Sequence, residues 1–209
     1  MGWTSLFLNT TSKKIFILGT GEVGHRRANK FLDGDSEVIL VGKDISKELI
    51  DKGAVLEKDN SYENLKKLVD WSDIVVIAGG DPKTNEYVSS ISGEKLLNRA
   101  DYPEKGNLIV PTSFYIDDIQ ISIFTNGKSP LMARELRKKI QKAINDEDIL
   151  QIKLQDYARK ILKENISNQK DRRNHLYEIL ENKDIANLLH EKKIEEAKEY
   201  VNSMLNIKK

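Results

Sequence analysis

Three glycines carry the chemistry most directly readable from the chain. Gly19, Gly21 and Gly24 stand in G-x-G-x-x-G spacing within KIFILGTGEVG, residues 14–24. Residues 15–18 before them form a short, largely β-branched apolar run, and residues 23–31 after them are amphipathic. The glycines therefore lie at a strand-to-helix turn, the context in which this spacing binds a dinucleotide. Gly19 makes the tight turn, Gly21 lets the backbone approach a pyrophosphate, and Gly24 lets the helix pack close to the strand. Thr20, Glu22 and Val23 supply the remaining amides around the helix start, where the dipole favours phosphate charge. A tight βα turn that binds nothing is the alternative.

Two further clusters fit the same site. Lys43 and Asp44 follow the second predicted strand, and Asp44 lies twenty residues after Gly24. That spacing suits an acid on the adenosine 2′-hydroxyl and predicts NAD, because Asp44 would repel a 2′-phosphate. Lys43 beside it could instead attract that phosphate, and Asp44 could simply cap the next helix. Gly79, Gly80 and Asp81 end the apolar run IVVIA. Glycines at the carboxyl end of a strand permit close approach to a ligand, while Asp81-Pro82 also suits plain turn chemistry.

The elements that must hold these residues alternate. Strands are expected at residues 15–18, 37–41, 54–57 and 74–78, with a short edge strand at 6–8 and a further strand at 108–110. Helices are expected at residues 23–32, 46–52, 64–69 and 84–90. The pattern predicts a parallel α/β sheet. After Pro111 the grammar changes. Residues 115–125 read as a hairpin around Asp117-Asp118, with Ile119, Ile121 and Ile123 on one face. Ser129 and Pro130 open a helix as N-cap and first residue, with Leu131, Leu136 and Ile140 as its apolar stripe. Residues 148–209 contain no glycine or proline and read as helices throughout.

Composition narrows the function classes. The 209 residues carry a net charge of +1, so bulk electrostatics give no reason to expect nucleic-acid or membrane binding. The chain has no cysteine, which excludes disulfides and thiolate chemistry and fits a reducing cytoplasm. No apolar run approaches the ~20 residues of a membrane span, and residues 1–14 do not read as a signal peptide. His25, His175 and His190 are scattered and read as surface or helix-packing residues, and no metal site is expected.

The order of parts then becomes informative. LFLNTTSKKIFILGTGEVGHRRANKFL, VVIAGGDPKTNEYV, LNRAD, IVPTS and TNGKSPLMAR resemble the successive motifs of the precorrin-2 dehydrogenase/sirohydrochlorin ferrochelatase family of sirohaem synthesis. Gly24 stands where that family often has alanine, and Gly80 where threonine is usual. Gly127 keeps one glycine of a pair, and Lys128 replaces a small residue. The resemblance implies a Rossmann-type parallel sheet domain over residues 1–113, a hairpin/helix dimerisation segment over 114–147, and an all-helical domain over 148–209.

It also implies a chemistry: NAD-dependent oxidation of precorrin-2 to sirohydrochlorin by a homodimer, with Fe²⁺ insertion in some members. Asp101 falls on the family's catalytic aspartate. Burial is expected to raise its pKa so that it can accept a proton, with Asp81 and Glu104 as nearby rivals. The tetrapyrrole carries eight carboxylates, so Ser113, Asn126, Gly127, Lys128, Ser129 and Arg134 are the expected substrate contacts. Arg137 and Lys138 read equally well as a solvated basic face. A nucleotide-sensing regulatory module without catalysis is the competing reading. Such modules share the nucleotide half but lack the helix opened by Ser129-Pro130 and the helical tail.

Overall fold

The structure is a computed structural model that describes residues 2–205; residues 206–209 of the predicted helical tail lie outside the described part. The chain divides into two units, Met1–Val110 and Pro111–Lys209.

The first unit alternates strands and helices: β1 (Lys14–Leu18), α1 (Glu22–Leu32), β2 (Glu37–Val41), α2 (Lys47–Asp51), β3 (Val55–Glu57), α3 (Tyr62–Trp71), β4 (Ile74–Ile77), α4 (Pro82–Ile91) and β5 (Leu96–Arg99). The strands form one parallel sheet in the order β3-β2-β1-β4-β5. Side chains alternate across it. Ile15 and Ile17 of β1 pack with Ala28 and Phe31 of α1 and Leu49 of α2. Phe16 and Leu18 pack on the other face with Leu65 and Val69 of α3 and Val88 of α4. Helices cover both faces, which is why β1 and β4 read as unbroken apolar runs rather than alternating ones. Each fully buried aliphatic or aromatic side chain contributes about 1.5–3 kcal/mol.

The sheet order places the site. After β1 the chain works outward through β2 and β3, then returns to β4 on the other side of β1. The loops leaving β1 and β4 therefore diverge at a switch point, where parallel sheets bind ligands at the carboxyl ends of their strands.

Three sequence expectations fail in this unit. Residues 6–8 form no strand; Leu6 and Phe7 are exposed, and neither edge strand of the sheet pairs with them. Residues 108–110 form no strand either. The amides of Asn107 and Leu108 both donate to the Leu97 carbonyl, and the Asn98 side chain donates to the Leu108 carbonyl. That segment is fastened to β5 by converging and side-chain bonds, not by a ladder. Finally, α2 is capped by Ser46, whose hydroxyl accepts from the Leu49 amide, and not by Asp44.

The second unit begins with an antiparallel hairpin, β6 (Thr112–Ile116) and β7 (Ile119–Ile123). Asp117 takes the positive φ that its two-residue turn requires. Helices follow: α5 (Pro130–Ala143), α6 (Asp146–Asn165), α7 (Gln169–Glu181), α8 (Lys183–His190) and α9 (Ile194–Met204). Leu154, Ala158, Ile179, Ile185, Leu189, Ala197 and Val201 of α6 to α9 make a core of their own. Within the hairpin and α5, Phe114 and Ala133 are buried, while the expected stripe on α5 is open: Leu131 is 67% and Leu136 37% exposed.

Candidate active site

The glycine turn is built by contacts that leave no room for side chains. Gly19 has φ +109°, and a Cβ there would collide with the Ala78 carbonyl. A Cβ on Gly24 would collide with the Gly19 carbonyl oxygen. The β1 loop therefore folds directly against both α1 and the loop after β4. Gly21 is different: a Cβ there meets nothing within 4 Å. Its space is open to an approaching group rather than filled by the protein.

The helix start is also left open. Each of α2 to α8 has a side chain that caps its first amides, whereas Gly21 gives α1 no side-chain cap. Uncapped amides at a dipole's positive end suit a phosphate. These observations fit a dinucleotide, held by Gly19, Thr20, Gly21, Glu22 and Val23 and by the open backbone at Gly80, where a Cβ would again meet nothing within 4 Å.

Neighbouring loops are tied to this turn. The Thr20 hydroxyl accepts from the Lys43 amide at 3.3 Å, and Thr20 fills the space a side chain at Gly42 would need. Lys43 and Asp44 are exposed beside it. Sequence reasoning gave His25 no role here, yet it joins two loops. Its Nδ1 lies 3.1 Å from the Gly21 carbonyl, and its Nε2 accepts from the Ser46 amide at 3.1 Å. Together the contacts put the proton on Nδ1. Asp81 is spent locally: its carboxylate caps α4, accepting from the Lys83 and Thr84 amides and the Thr84 hydroxyl. Thr84 above all holds that carboxyl below its usual range.

Asp101 lies just past β5, so it shares the carboxyl-end rim with these loops. Asn85 of α4, 4% exposed, makes the link: its amide donates to the Gly79 carbonyl and to Asp101 Oδ2, both at 3.0 Å. Arg99, 1% exposed, forks onto the same carboxylate, with Nε to Oδ1 and one terminal nitrogen to Oδ2, each at 2.8 Å. That terminal nitrogen also reaches Glu86, which pairs with Lys105. Burial pushes the Asp101 carboxyl up, but the Arg99 bonds and charge and two backbone amides more than offset it, and the net direction is down. This overturns the expectation of a raised pKa. Arg99 and Asn85 were missed as site residues. The available signal was parity: Arg99 and Asp101, two apart at a strand end, share a side.

Glu104 sits in a 3₁₀ turn, Pro103–Lys105, and is exposed. In the second unit, Asn126 and Gly127 take positive φ, and the Ser129 hydroxyl accepts from the Met132 amide as the cap of α5. Ser113 is half-buried on β6. Lys128 and Arg134 are exposed, Arg137 lies over the Phe114 ring at 5.2 Å, and Lys138 pairs with Glu135. Among the described residues no three His, Cys, Asp or Glu side chains gather as a metal site, and no helix is long and apolar enough to cross a membrane. A cavity of about 430 Å³ lies at the opposite, amino-terminal end of the strands, against Glu37, Lys52 and Trp71. It includes none of the candidate site residues.

Comparison with known proteins bears on the family and the fold. Residues 6–112 match a family model described as "Putative NAD(P)-binding", and residues 117–143 match "Sirohaem biosynthesis protein central". The "Putative precorrin-2 dehydrogenase" of Methanocaldococcus jannaschii is 32% identical over 192 residues, covering 85% of this chain and 89% of that protein. The "Precorrin-2 dehydrogenase" of Methanosarcina barkeri is 28% identical, covering 87% and 84% respectively. A "Siroheme synthase" of Ruthia magnifica is 27% identical over 95% of this chain, which spans 42% of that longer protein. The solved structure "SirC, precorrin-2 dehydrogenase" superposes with a TM-score of 0.76 at 19% identity, covering 96% of this chain and 100% of its own, and so shares the fold.

Proposed function

The chain belongs to the precorrin-2 dehydrogenase family of sirohaem synthesis, and from that premise we propose that it oxidises precorrin-2 to sirohydrochlorin with NAD. One observation carries the reading. The open glycine turn, the loop after β4 and the Asp101 carboxylate meet on one rim of the sheet, with Asn85 bonded to both Gly79 and Asp101. Bound at that rim, NAD supplies the acceptor for a hydride. Gly21 and the first amides of α1 hold the pyrophosphate, and Asp44 faces the ribose hydroxyls and disfavours a 2′-phosphate. Asp101 is the carboxylate presented to the substrate.

The second unit supplies the rest of the reading. Ser113, Asn126, Gly127, Lys128, Ser129 and Arg134 bind the tetrapyrrole, with Lys128 and Arg134 as the cations for its carboxylates. The hairpin and α5 form a homodimer, since Tyr115, Phe124, Leu131, Met132 and Leu136 expose apolar surface in one short segment. The three-part division, nucleotide domain, dimerisation segment and helical domain, follows these roles. A cytoplasmic setting agrees with a cysteine-free chain that uses NAD.

The test is direct. Precorrin-2 with NAD⁺ and the full chain should yield NADH and the sirohydrochlorin spectrum in equal amounts, and NAD⁺ should bind more tightly than NADP⁺. A second arm adds Fe²⁺ or Co²⁺ to sirohydrochlorin and follows insertion. No NADH from intact precorrin-2, with NAD⁺ bound by the same sample, would leave the chain a nucleotide-sensing module.

A further inference from the structure

Resting on that functional reading, we propose that Arg99 is a positioning residue that fixes Asp101 as a permanent anion, so that Asp101 anchors charge during precorrin-2 oxidation and does not take the proton. The geometry around Asp101 leaves little else for it to do. Its two oxygens offer about four lone-pair sites. Arg99 takes one on each oxygen through a planar fork, and Asn85 takes another on Oδ2. The amides of Asp101 and Tyr102 are also directed at this carboxylate. A general base needs a free lone pair and a pKa near the working pH. Here the lone pairs are spoken for, and the side chain is 20% accessible.

Arg99 itself is placed at a cost. It is the largest fully buried side chain among the described residues. One of its terminal nitrogens, Nη1, finds no hydrogen-bond partner there. A buried cation with an unsatisfied donor is expensive. The fork onto Asp101 and the contact with Glu86 are what compensate it, so the pair is held as a unit. Among the described residues, the charged and titratable groups recorded around the Arg99–Asp101 pair come from three elements. Arg99 comes from β5, Glu86 from α4, and Tyr102 and Lys105 from the loop that follows. Arg99 and Lys105 both lie over the Tyr102 ring, at 5.8 and 5.3 Å. Lys105, and then Arg99, hold Glu86 below its usual range, so Glu86 is an anion as well.

The chemistry suits a fixed anion. Oxidation breaks one C–H bond of precorrin-2 with its electron pair leaving as hydride, and the tetrapyrrole becomes one unit more positive. A carboxylate already ionised and oriented stabilises that charge without reorganising. The cation then loses an N–H proton to water, and the sum is precorrin-2 and NAD⁺ giving sirohydrochlorin, NADH and H⁺.

The experiment titrates the carboxyl carbons of the full chain labelled with ¹³C-aspartate. Asp101→Asn identifies the Asp101 signal by its loss. In the wild type the Asp101 midpoint is expected below the ordinary value of about 4. In Arg99→Met the fork and its charge are lost while Asn85 and the two backbone amides remain to oppose burial, and the midpoint should rise by a unit or more; Arg99→Lys, which keeps charge but not the fork, should fall between. In parallel, kcat of the wild type should be flat from pH 5.5 to 8, while Arg99→Met gains an acid limb falling tenfold per unit below its new midpoint. A wild-type midpoint at or above the ordinary value overturns the proposal, as does an unmoved midpoint in Arg99→Met. Should Arg99→Met fail to fold, the wild type and Arg99→Lys still decide it. Absence of NADH formation by the wild type at every pH sinks the functional reading instead, and the titration separates that failure from this one.

Discussion

The rim of the parallel sheet and the hairpin–α5 segment are finished to different degrees. On the rim, Gly19, Gly24, Asn85, Arg99 and Asp101 are locked by close backbone contacts and charge-assisted bonds within one unit. In the hairpin and α5, Phe114 and Ala133 are buried, whereas Tyr115, Leu131 and Met132 stand open. A two-stranded hairpin alone is marginally stable in water. The difference teaches that the first region is closed by contacts of its own unit, while the second leaves an apolar face open, the face proposed above for a second copy. Four experiments press on that contrast, beginning where the effect should be greatest.

Gly24→Val and Gly21→Val separate architecture from binding. A side chain at Gly24 drives into the Gly19 carbonyl, so the turn must open. Gly24→Val should lose NAD⁺ binding entirely, together with a large part of the thermal stability of the first unit. A side chain at Gly21 meets only open space. Gly21→Val should fold and melt as the wild type yet bind NAD⁺ at least ~100-fold more weakly, a loss of about 2.7 kcal/mol. Equal NAD⁺ affinity in both variants and the wild type, measured by calorimetry, would mean that the rim is not the nucleotide site.

Asp101→Asn comes next. It keeps shape and removes charge, and turnover should fall by roughly 10²-fold, the scale of losing one electrostatic stabiliser. With Asp101 a fixed anion the loss should be the same from pH 6 to 9. Stability follows the same carboxylate. Its folded pKa is depressed, so its contribution is present above the unfolded value near 4 and is lost as pH falls through the folded one. Acid unfolding of the wild type should therefore shift to higher pH in Asp101→Asn. Wild-type turnover in this variant across the whole range removes Asp101 from the reaction.

The sequence made some of this legible and hid the rest for identifiable reasons. β1, β2 and β4 were readable because strands buried on both faces must be apolar throughout. The glycine turn was readable because only glycine fits it. Residues 6–8 and 108–110 were misread as strands because an apolar triplet does not reveal whether a partner edge is free. The direction of the Asp101 pKa was missed because residues 96–99 were not read as a strand, so nothing marked Arg99 as the buried cation beside Asp101. The stripe on α5 was read correctly as apolar, but its exposure depends on what covers it, which one chain's pattern does not record.

The open face of α5 is tested by a single charge. If a second copy covers Leu131, burying it contributes about 1.5–3 kcal/mol to association. Light scattering of the wild type should then give twice the 23.9 kDa of the chain at micromolar concentration. Leu131→Glu should weaken that dimer by tenfold or more while leaving NAD⁺ affinity unchanged. A stable wild-type monomer would contradict the dimer and leave the rim's account untouched.

The smallest effect is expected at Ser129, and it probes whether the motif around α5 is structural as well as functional. The Ser129 hydroxyl accepts from the Met132 amide at 3.1 Å, and Pro130 occupies the first helical position, where a missing N–H costs nothing. The Thr125 hydroxyl braces the same turn against Ser129. Removing the cap by Ser129→Ala should cost about 1 kcal/mol of stability. For a unit near 100 residues that is a fall in Tm of roughly 4–8 °C. The loss should appear in the melting of the second unit and not in NAD⁺ affinity. Ser129→Asp retains an acceptor and adds a negative charge at the helix start, so it should recover the lost stability. The same substitution sets an anion where tetrapyrrole carboxylates are proposed to bind, so it should raise KM for precorrin-2. Stability restored with KM raised would mean that Ser129 serves both the helix and the substrate. Stability restored with KM unchanged would confine Ser129 to the cap and remove it from the substrate contacts.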